Sequence, residues 1–297
     1  MAVDHMRQGM EARELIGERR KLHSRLRERA SEWGVVVESV RETPSSLIAF
    51  GRRDATAVVL KLVKHEGDEW FSGEVVEAFA GQGVVRVYQH TGGALLLERL
   101  SPGHSLVETV QAGEDEAATE IIAGVVAAMA PSAIPERCVT VTEWGESFER
   151  NLAMTDEGIA RLLLLRAQQT FADLARSQSK PRLLHGDLQH SNVLFDYDRG
   201  WIAIDPKGVV GELAYELGAV FRNPQEERRL FTDAGTIERR VRQLTVALHV
   251  DATRVLGWAF AQAVLSAVWD WEDGGLAETR APTLLLAQTL DTMLHPS

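Results

Sequence analysis

Cysteine is almost missing from this chain: Cys138 is the single one in 297 residues. An internal disulfide is therefore excluded, and a reducing, cytoplasmic setting is the default expectation. Positive charge is also short. Lys and Arg number 32 against 43 Asp and Glu, a formal net charge of −11. Nucleic-acid phosphates demand a basic surface, so a nucleic-acid partner is not expected. Residues 1–40 hold eight Lys/Arg against seven Asp/Glu, which puts the acidity in the later body. Such a body suits a cationic small molecule, and it equally well just keeps a protein dispersed. Long apolar runs are lacking as well. Ile121 to Ala130 is too short to span a bilayer, while Leu256 to Trp271 is broken by Gln262 and Ser266 and closed by Asp270. Residues 1–20 contain no apolar core of signal-peptide length. A soluble protein with no membrane partner is the reading.

Several nucleotide-binding motifs are missing too. No GxxxxGK[ST] pattern occurs. Gly81-x-Gly83 starts like a dinucleotide fingerprint but follows a helical stretch, and Arg86 stands where the last glycine belongs. No internal repeat or low-complexity linker breaks the chain.

What is present is an ordinary globular composition, 45% apolar and 25% charged, enough for one large domain or two lobes. Residues 9–33, rich in Glu, Arg, Leu and Ala, predict a helix with a solvated face. From Gly34 the texture changes to β-branched clusters: GVVVESV, SSLIAFGRR and TAVVLKLV predict three strands. The third carries Lys61, a position that ordinarily marks a sheet edge or a solvated face. Residues 68–80 predict a helix, and Val84–Tyr88 and Ala94–Leu97 two more strands. Helices are then predicted over 105–111, 114–130 and 155–178, the last capped by Thr155, and over 211–221, 225–231, 236–248, 251–271 and 281–294.

The stretch with the clearest chemistry is Leu183 to Asp205. Leu183 and Leu184 deliver His185-Gly186-Asp187, and Asn192 follows five residues after Asp187. Val193-Leu194-Phe195 and Trp201-Ile202-Ala203-Ile204 predict a hairpin around a polar turn, ending on Asp205. That arrangement gathers Asp187, Asn192 and Asp205 around one cleft. A carboxylate can take the proton of an attacking hydroxyl, and an amide oxygen with a second carboxylate can hold Mg²⁺ on nucleotide phosphates.

H-G-D-x4-N followed by Ile204-Asp205 resembles the catalytic and metal-binding segments of the aminoglycoside phosphotransferase family. The continuation from Ala203 to Pro224 resembles its streptomycin 6-kinase and hydroxyurea phosphotransferase branch. The resemblance implies an α+β, protein-kinase-like bilobal fold. A small five-stranded antiparallel lobe with one helix would span 1–98, and a larger, mainly helical catalytic and substrate-binding lobe 99–297. It implies ATP and Mg²⁺ as cofactors, Asp187 as catalytic base, and Asn192 and Asp205 as metal ligands. Lys61 would steady the α/β-phosphates, paired with Glu69 or alternatively Glu74. Ser45 and Ser46, in the turn that replaces a glycine loop, offer hydroxyls to phosphate or make a plain turn. Glu98 to Leu100 would be the hinge beside adenine. His185 would brace the loop, and Gly186 stands where protein kinases carry arginine. Gln189 and His190 are expected to face the cleft or solvent without a role, and Glu212, Tyr215 and Glu216 to be structural. Lys207 would neutralise product phosphate or merely cap a turn. Trp269-Asp270-Trp271-Glu272-Asp273 is a candidate contact for a cationic acceptor or a solvated loop. The acceptor implied is a small molecule, an aminoglycoside with streptomycin first or else hydroxyurea, in an enzyme that confers antibiotic resistance. A metabolic alcohol or amine (choline, homoserine, a sugar) and a nucleotide-binding pseudokinase are the alternatives, and oligomeric state stays open.

Overall fold

The computed structural model describes residues 17, 19–152 and 159–295. Two compact units divide the chain: the segment through Glu74 together with Arg86–Arg99, and Val75–Val85 together with everything from Leu100 onward.

The first unit opens with helix α1 over 19–32. The predicted start of this helix, residues 9–16, lies outside the described residues. Leu22, Leu26 and Ala30 recur every four residues and so share one face, which joins Trp33 in a core with Leu47, Ala49, Val58, Leu60, Leu62, Ala94 and Leu96. Those partners come from an antiparallel sheet of β1 (Val35–Glu42), β2 (Ser46–Arg53), β3 (Thr56–Val63), β4 (Val87–Thr91) and β5 (Ala94–Glu98), in the order β1-β2-β3-β5-β4. Val58, Leu60 and Leu62 alternate onto the face beneath α1, so Lys61 projects to the opposite face of β3.

Two expectations change here. The helix predicted over 68–80 divides into a 3₁₀ turn, Asp68–Phe71, and a short α-helix, α2 (Ser72–Ala78). Inside α2, Gly73 lets the His90 ring come close, since a Cβ there would strike it. The strand predicted over Val84–Tyr88 also divides, because β4 begins only at Val87. Val84 and Val85, both buried, bond instead to Ala203 of the second unit: Val85 donates to the Ala203 carbonyl at 2.8 Å, and Ala203 to Gly83 at 2.9 Å. A β-branched pair reads as strand whichever partner it takes.

The second unit carries β6 (Pro102–Ser105), α3 (Leu106–Gln111), α4 (Asp115–Ala128), β7 (Val139–Thr140), α5 (Val141–Trp144), α6 (Glu146–Leu152) and α7 (Arg161–Arg176). Thr155, the cap predicted for α7, lies outside the described residues. Strands β8 (Arg182–Leu184), β9 (Val193–Asp196), β10 (Gly200–Ala203) and β11 (Val209–Gly211) follow. Then come α8 (Leu213–Glu216), α9 (Gly218–Phe221), α10 (Arg228–Phe231), α11 (Ala234–Leu248), α12 (Ala252–Glu272) and α13 (Ala277–Leu294). Two three-stranded sheets, β10-β9-β6 and β7-β11-β8, are set among these helices. The middle of helix α12 lies in the core, with Trp258, Phe260, Val264 and Leu265 fully buried, while Arg254, Asp270 and Glu272 near its ends make ion pairs. Among the described residues, no helix is long and apolar enough to cross a membrane.

Candidate active site

Strand β8 ends on buried Leu183 and Leu184 and hands the chain to His185, which is itself fully buried. The next two backbone N–H groups converge on one carboxylate: His185 donates to Glu216 Oε2 at 2.6 Å, Gly186 to Glu216 Oε1 at 3.0 Å. Gly186 has φ +82, and a Cβ there would meet Trp144 at 3.0 Å and Val209 at 3.1 Å. Gly186→Ala should therefore combine backbone strain with a clash beside Asp187. Turnover is expected to drop more than tenfold, roughly, with a lowered melting temperature, both measurable on the purified variant.

Burial drives the Glu216 carboxyl up to about 7, against the two backbone donors that pull it down. Between the ordinary value of 4.5 and about 7 the folded protein then binds a proton that the unfolded chain has released. Stability should fall as pH rises through that window, and Glu216→Gln should flatten this part of a urea-denaturation pH profile.

The neighbouring bonds assign the His185 tautomer. The Asp187 N–H donates to Nδ1 at 3.2 Å, so Nδ1 accepts, and Nε2 carries the hydrogen to the Ile204 carbonyl at 2.9 Å. Burial pushes the ring below its ordinary value, which keeps it neutral. The His185 carbonyl accepts from Lys207 and Gly208 at 2.8 and 3.0 Å. One buried histidine thus ties the Asp187 loop to the backbone on both sides of Asp205.

Asp187 and Asn192 are joined directly. Asn192 Nδ2 donates to the Asp187 carbonyl at 2.9 Å and reaches its Oδ2 at 3.3 Å. The hairpin β9–β10 then returns the chain, its turn fastened by Asp196. Burial opposes ionisation of that carboxyl, but N–H donors from Ser101, Asp198 and Arg199 outweigh it and hold it below its ordinary value. Ile204 donates to the Asn192 carbonyl at 2.8 Å, and Asp205 adopts a left-handed conformation at φ +60. Such a φ is uncommon for a residue with a side chain, and it turns the chain out of the strand direction at this residue.

The donor set fits a magnesium ion. With Nδ2 committed to Asp187, the oxygen of the Asn192 amide is its remaining end, and it and the Asp205 carboxylate are the hard oxygen types that such an ion would take. Among the described residues no three His, Cys, Asp or Glu gather as a larger metal cluster.

Two side chains at Asp187 were missed from the sequence. Gln189 Nε2 reaches Asp187 Oδ2 at 3.2 Å, and Arg222, just after α9, lies 3.6 Å from Oδ1. Arg222 lies 35 residues beyond Asp187, inside the Ala203–Pro224 continuation, where the sequence reading gave it no role. His190, expected to face the cleft or solvent, is instead fully buried, because the 3₁₀ turn His190–Asn192 directs it inward. Burial, then the nearby Arg240 charge, push it down to about 3, so it is neutral.

In the first unit, Lys61 and Glu69 form a largely buried ion pair at 3.2 Å, Glu69 coming from the 3₁₀ turn rather than from α2. Ser45 is exposed, whereas Ser46 is buried with no partner for its hydroxyl among the described residues. Thr43 closes that turn, accepting from the Ser46 N–H at 2.9 Å. The Glu98 carboxylate accepts from the Arg86 N–H at 2.7 Å, and Leu100 is the buried residue that opens the second unit's long segment.

The Trp269 segment is more engaged than its composition suggests. Trp269 donates to Ser147 at 3.0 Å and stands edge-on to Trp144 at 5.6 Å. Asp270 pairs with Arg280 at 3.3 Å and Glu272 with Arg150 at 3.6 Å, so both acids already face cations. Glu212 accepts from the Trp258 indole at 2.6 Å and from Arg254 Nε at 2.8 Å, a structural junction at the start of α8.

Comparison with known proteins gives the family and the fold. The model of the aminoglycoside/hydroxyurea antibiotic resistance kinase family matches residues 33–274. A streptomycin 3''-kinase of Klebsiella pneumoniae is 32% identical over 237 residues, 78% of this chain and 86% of that one. A hydroxyurea phosphotransferase of Kitasatospora aureofaciens is 31% identical over 269 residues, 86% and 75% of the two chains. Among solved structures, choline kinase LicA from Streptococcus pneumoniae aligns with a TM-score of 0.64 at 14% identity, covering 91% of this chain and 98% of that one. Aminoglycoside phosphotransferase APH(4)-Ia, in a ternary complex with ADP and hygromycin B, aligns at 0.62 and 15%, covering 89% and 97%. At such identities the structural likeness speaks for the protein-kinase-like fold, while the extent of the family match speaks for kinship: the chain belongs to the aminoglycoside/hydroxyurea antibiotic resistance kinases.

Proposed function

We propose that this kinase transfers the γ-phosphoryl group of ATP to a hydroxyl of an aminoglycoside-like acceptor, streptomycin first, with Asp187 as the base. The observation that carries the reading is the Asp187 carboxylate, oriented by Asn192 and Gln189 on one oxygen and anchored by the neutral His185 through its backbone. The acceptor oxygen bonds to the γ-phosphorus as the bond from that phosphorus to the β-bridging oxygen breaks. ADP leaves, and the hydroxyl proton passes to Asp187 and then to solvent. Asn192 and Asp205 would hold Mg²⁺, which supplies charge neutralisation on the phosphates. Lys61, set by Glu69, would serve the α/β-phosphates; Ser45 and Ser46 would border them, and Glu98 to Leu100 the adenine. In this reading residues 1–98 carry nucleotide binding and 99–297 the acceptor and the catalytic loop.

Streptomycin ranks first because relatives about 30% identical over most of this chain are streptomycin kinases. Hydroxyurea is the second reading, carried by the relative named for it. The test is ADP release from Mg·ATP against streptomycin, other aminoglycosides, hydroxyurea, choline, homoserine and simple sugars. Turnover with streptomycin is expected; silence across the panel with nucleotide still binding would sink the resistance-kinase reading. Lys61→Met should raise KM for ATP about tenfold or more and lower kcat, since phosphate positioning is the main work of such a site. Glu69→Ala should do the same more weakly.

A further inference from the structure

We propose that Arg222 is a positioning residue for phosphoryl transfer. It orients Asp187 and offsets its charge from a fixed distance, and Gln262 is the strut that sets that distance. The inference rests on Asp187 being the base.

The two oxygens of Asp187 are treated differently. Oδ2 receives Gln189 and Asn192 at 3.2 and 3.3 Å. Oδ1 receives no hydrogen bond from Arg222, whose nearest nitrogen stops at 3.6 Å. A guanidinium free to move would close on a carboxylate in a bidentate pair, the geometry that such pairs prefer. Arg222 is held back. Its NH1 donates to Gln262 Oε1 at 3.1 Å, and Gln262 is fixed at its other end, Nε2 donating to the Tyr215 carbonyl at 2.5 Å. A carbonyl can only accept, so the amide cannot be the other way round, and its oxygen must face Arg222. Gly218 makes the reach possible, because a Cβ there would collide with the Gln262 amide.

The backbone around Arg222 is clamped as well. Buried Arg240 donates to the carbonyls of Val220 and Asn223 at 2.7 and 2.8 Å, and the Asn223 amide donates to Ala219 at 2.8 Å. Arg222 therefore sits on a clamped backbone, largely buried, with NH1 held by Gln262 and NH2 facing Oδ1 from 3.6 Å.

The consequence is chemical. An acceptor hydroxyl needs one Asp187 oxygen as a hydrogen-bond acceptor, and a bidentate arginine would occupy it. A bare carboxylate, on the other hand, would repel the incoming anionic phosphoryl group. A cation at 3.6 Å leaves Oδ1 able to accept and lessens that repulsion. The benefit is largest in the transition state, so it belongs in kcat rather than in nucleotide affinity.

The experiment compares Arg222→Met, Arg222→Lys and Gln262→Leu in the full chain, measuring kcat, KM for both substrates and melting temperature. Arg222→Met is expected to lower kcat by about 10²-fold with KM for ATP changed only a few-fold, as for loss of one preorganised charge. Arg222→Lys should recover part of that loss. Gln262→Leu should also lower kcat, because Arg222 is then free to close on Oδ1. Guanidinium added at tens of millimolar to Arg222→Ala should raise its rate, while urea, of the same shape without charge, should not. A native-like kcat in Arg222→Met overturns the proposal. So does a loss that Arg222→Lys does not relieve, or a rescue that urea matches. If the native protein turns over with no acceptor, the kinase assignment itself fails and this role goes with it. Native turnover with an indifferent Arg222 sinks this inference alone.

Discussion

Asp187→Asn should cost this kinase about 10³-fold in kcat while nucleotide binding survives, the range expected when a positioned general base is lost. The substitution keeps shape and removes basicity. An asparagine at 187 can turn its oxygen to Gln189 and Asn192, which now donate at 3.2 and 3.3 Å, and loses only the ion pair with Arg222, which lies beyond hydrogen-bond distance. The loop should thus keep its place, because its other supports, His185 to Ile204 and Glu216 to two backbone N–H groups, do not involve the carboxylate. Mg·ATP should still raise the melting temperature of the variant, and acceptor-dependent ADP release should all but vanish. Near-native turnover would move the base elsewhere.

The second large effect falls on stability, far from Asp187 in sequence. Asp115 and Arg240 are both buried and joined at 2.5 and 3.2 Å, with Arg239 adding a bond at 2.7 Å. Asp115→Ala would leave the Arg240 guanidinium buried without its counter-charge, still tied to the Val220 and Asn223 carbonyls. Breaking a buried pair from one side costs ~3–5 kcal/mol, roughly 5–8 °C in melting temperature for a protein of this size. Replacing both partners, as Asp115→Leu with Arg240→Met, should cost less than the single change, because no charge is then stranded. A single variant that melts with the native protein would mean that the pair contributes nothing net. The sign with pH is also defined. Burial raises the Asp115 carboxyl, but Arg240 and Arg239 outweigh it and hold it below its ordinary 3.8. The contribution is therefore present above that pH and is lost as pH falls through the lowered value.

Much of the site could be read before any coordinates because its bonds are short-range in sequence. Asp187, Gln189 and Asn192 bond to one another within a single turn, and β9–β10 is a hairpin whose partners are neighbours. The same holds for β1 to β3, where β-branched and apolar clusters separated by two short polar turns pair with their sequence neighbours. Local pattern does not determine a segment whose partner is distant. Val84–Tyr88 has one composition but two allegiances, Val84 and Val85 going to Ala203 and Val87 to β5. The acids after Trp269 look free in sequence, yet Asp270 and Glu272 are taken by Arg280 and Arg150.

By itself, then, the sequence determined the class of fold, the run of elements and the Asp187–Asn192–Asp205 segment. The elements follow from periodicity and the segment from spacing within one loop, which act over a few residues, whereas the class of fold was implied by the family resemblance that this segment carries. Only the tertiary structure decided what surrounds Asp187. Glu216 beneath the loop, Arg222 at Oδ1, Gln262 behind Arg222 and Gly218 making room for it arrive from α8, α9 and α12. Each is an ordinary residue in its own helix. Burial removes the water that would otherwise satisfy these groups, so their charges and hydrogen bonds must be met by one another, and no local pattern encodes that pairing.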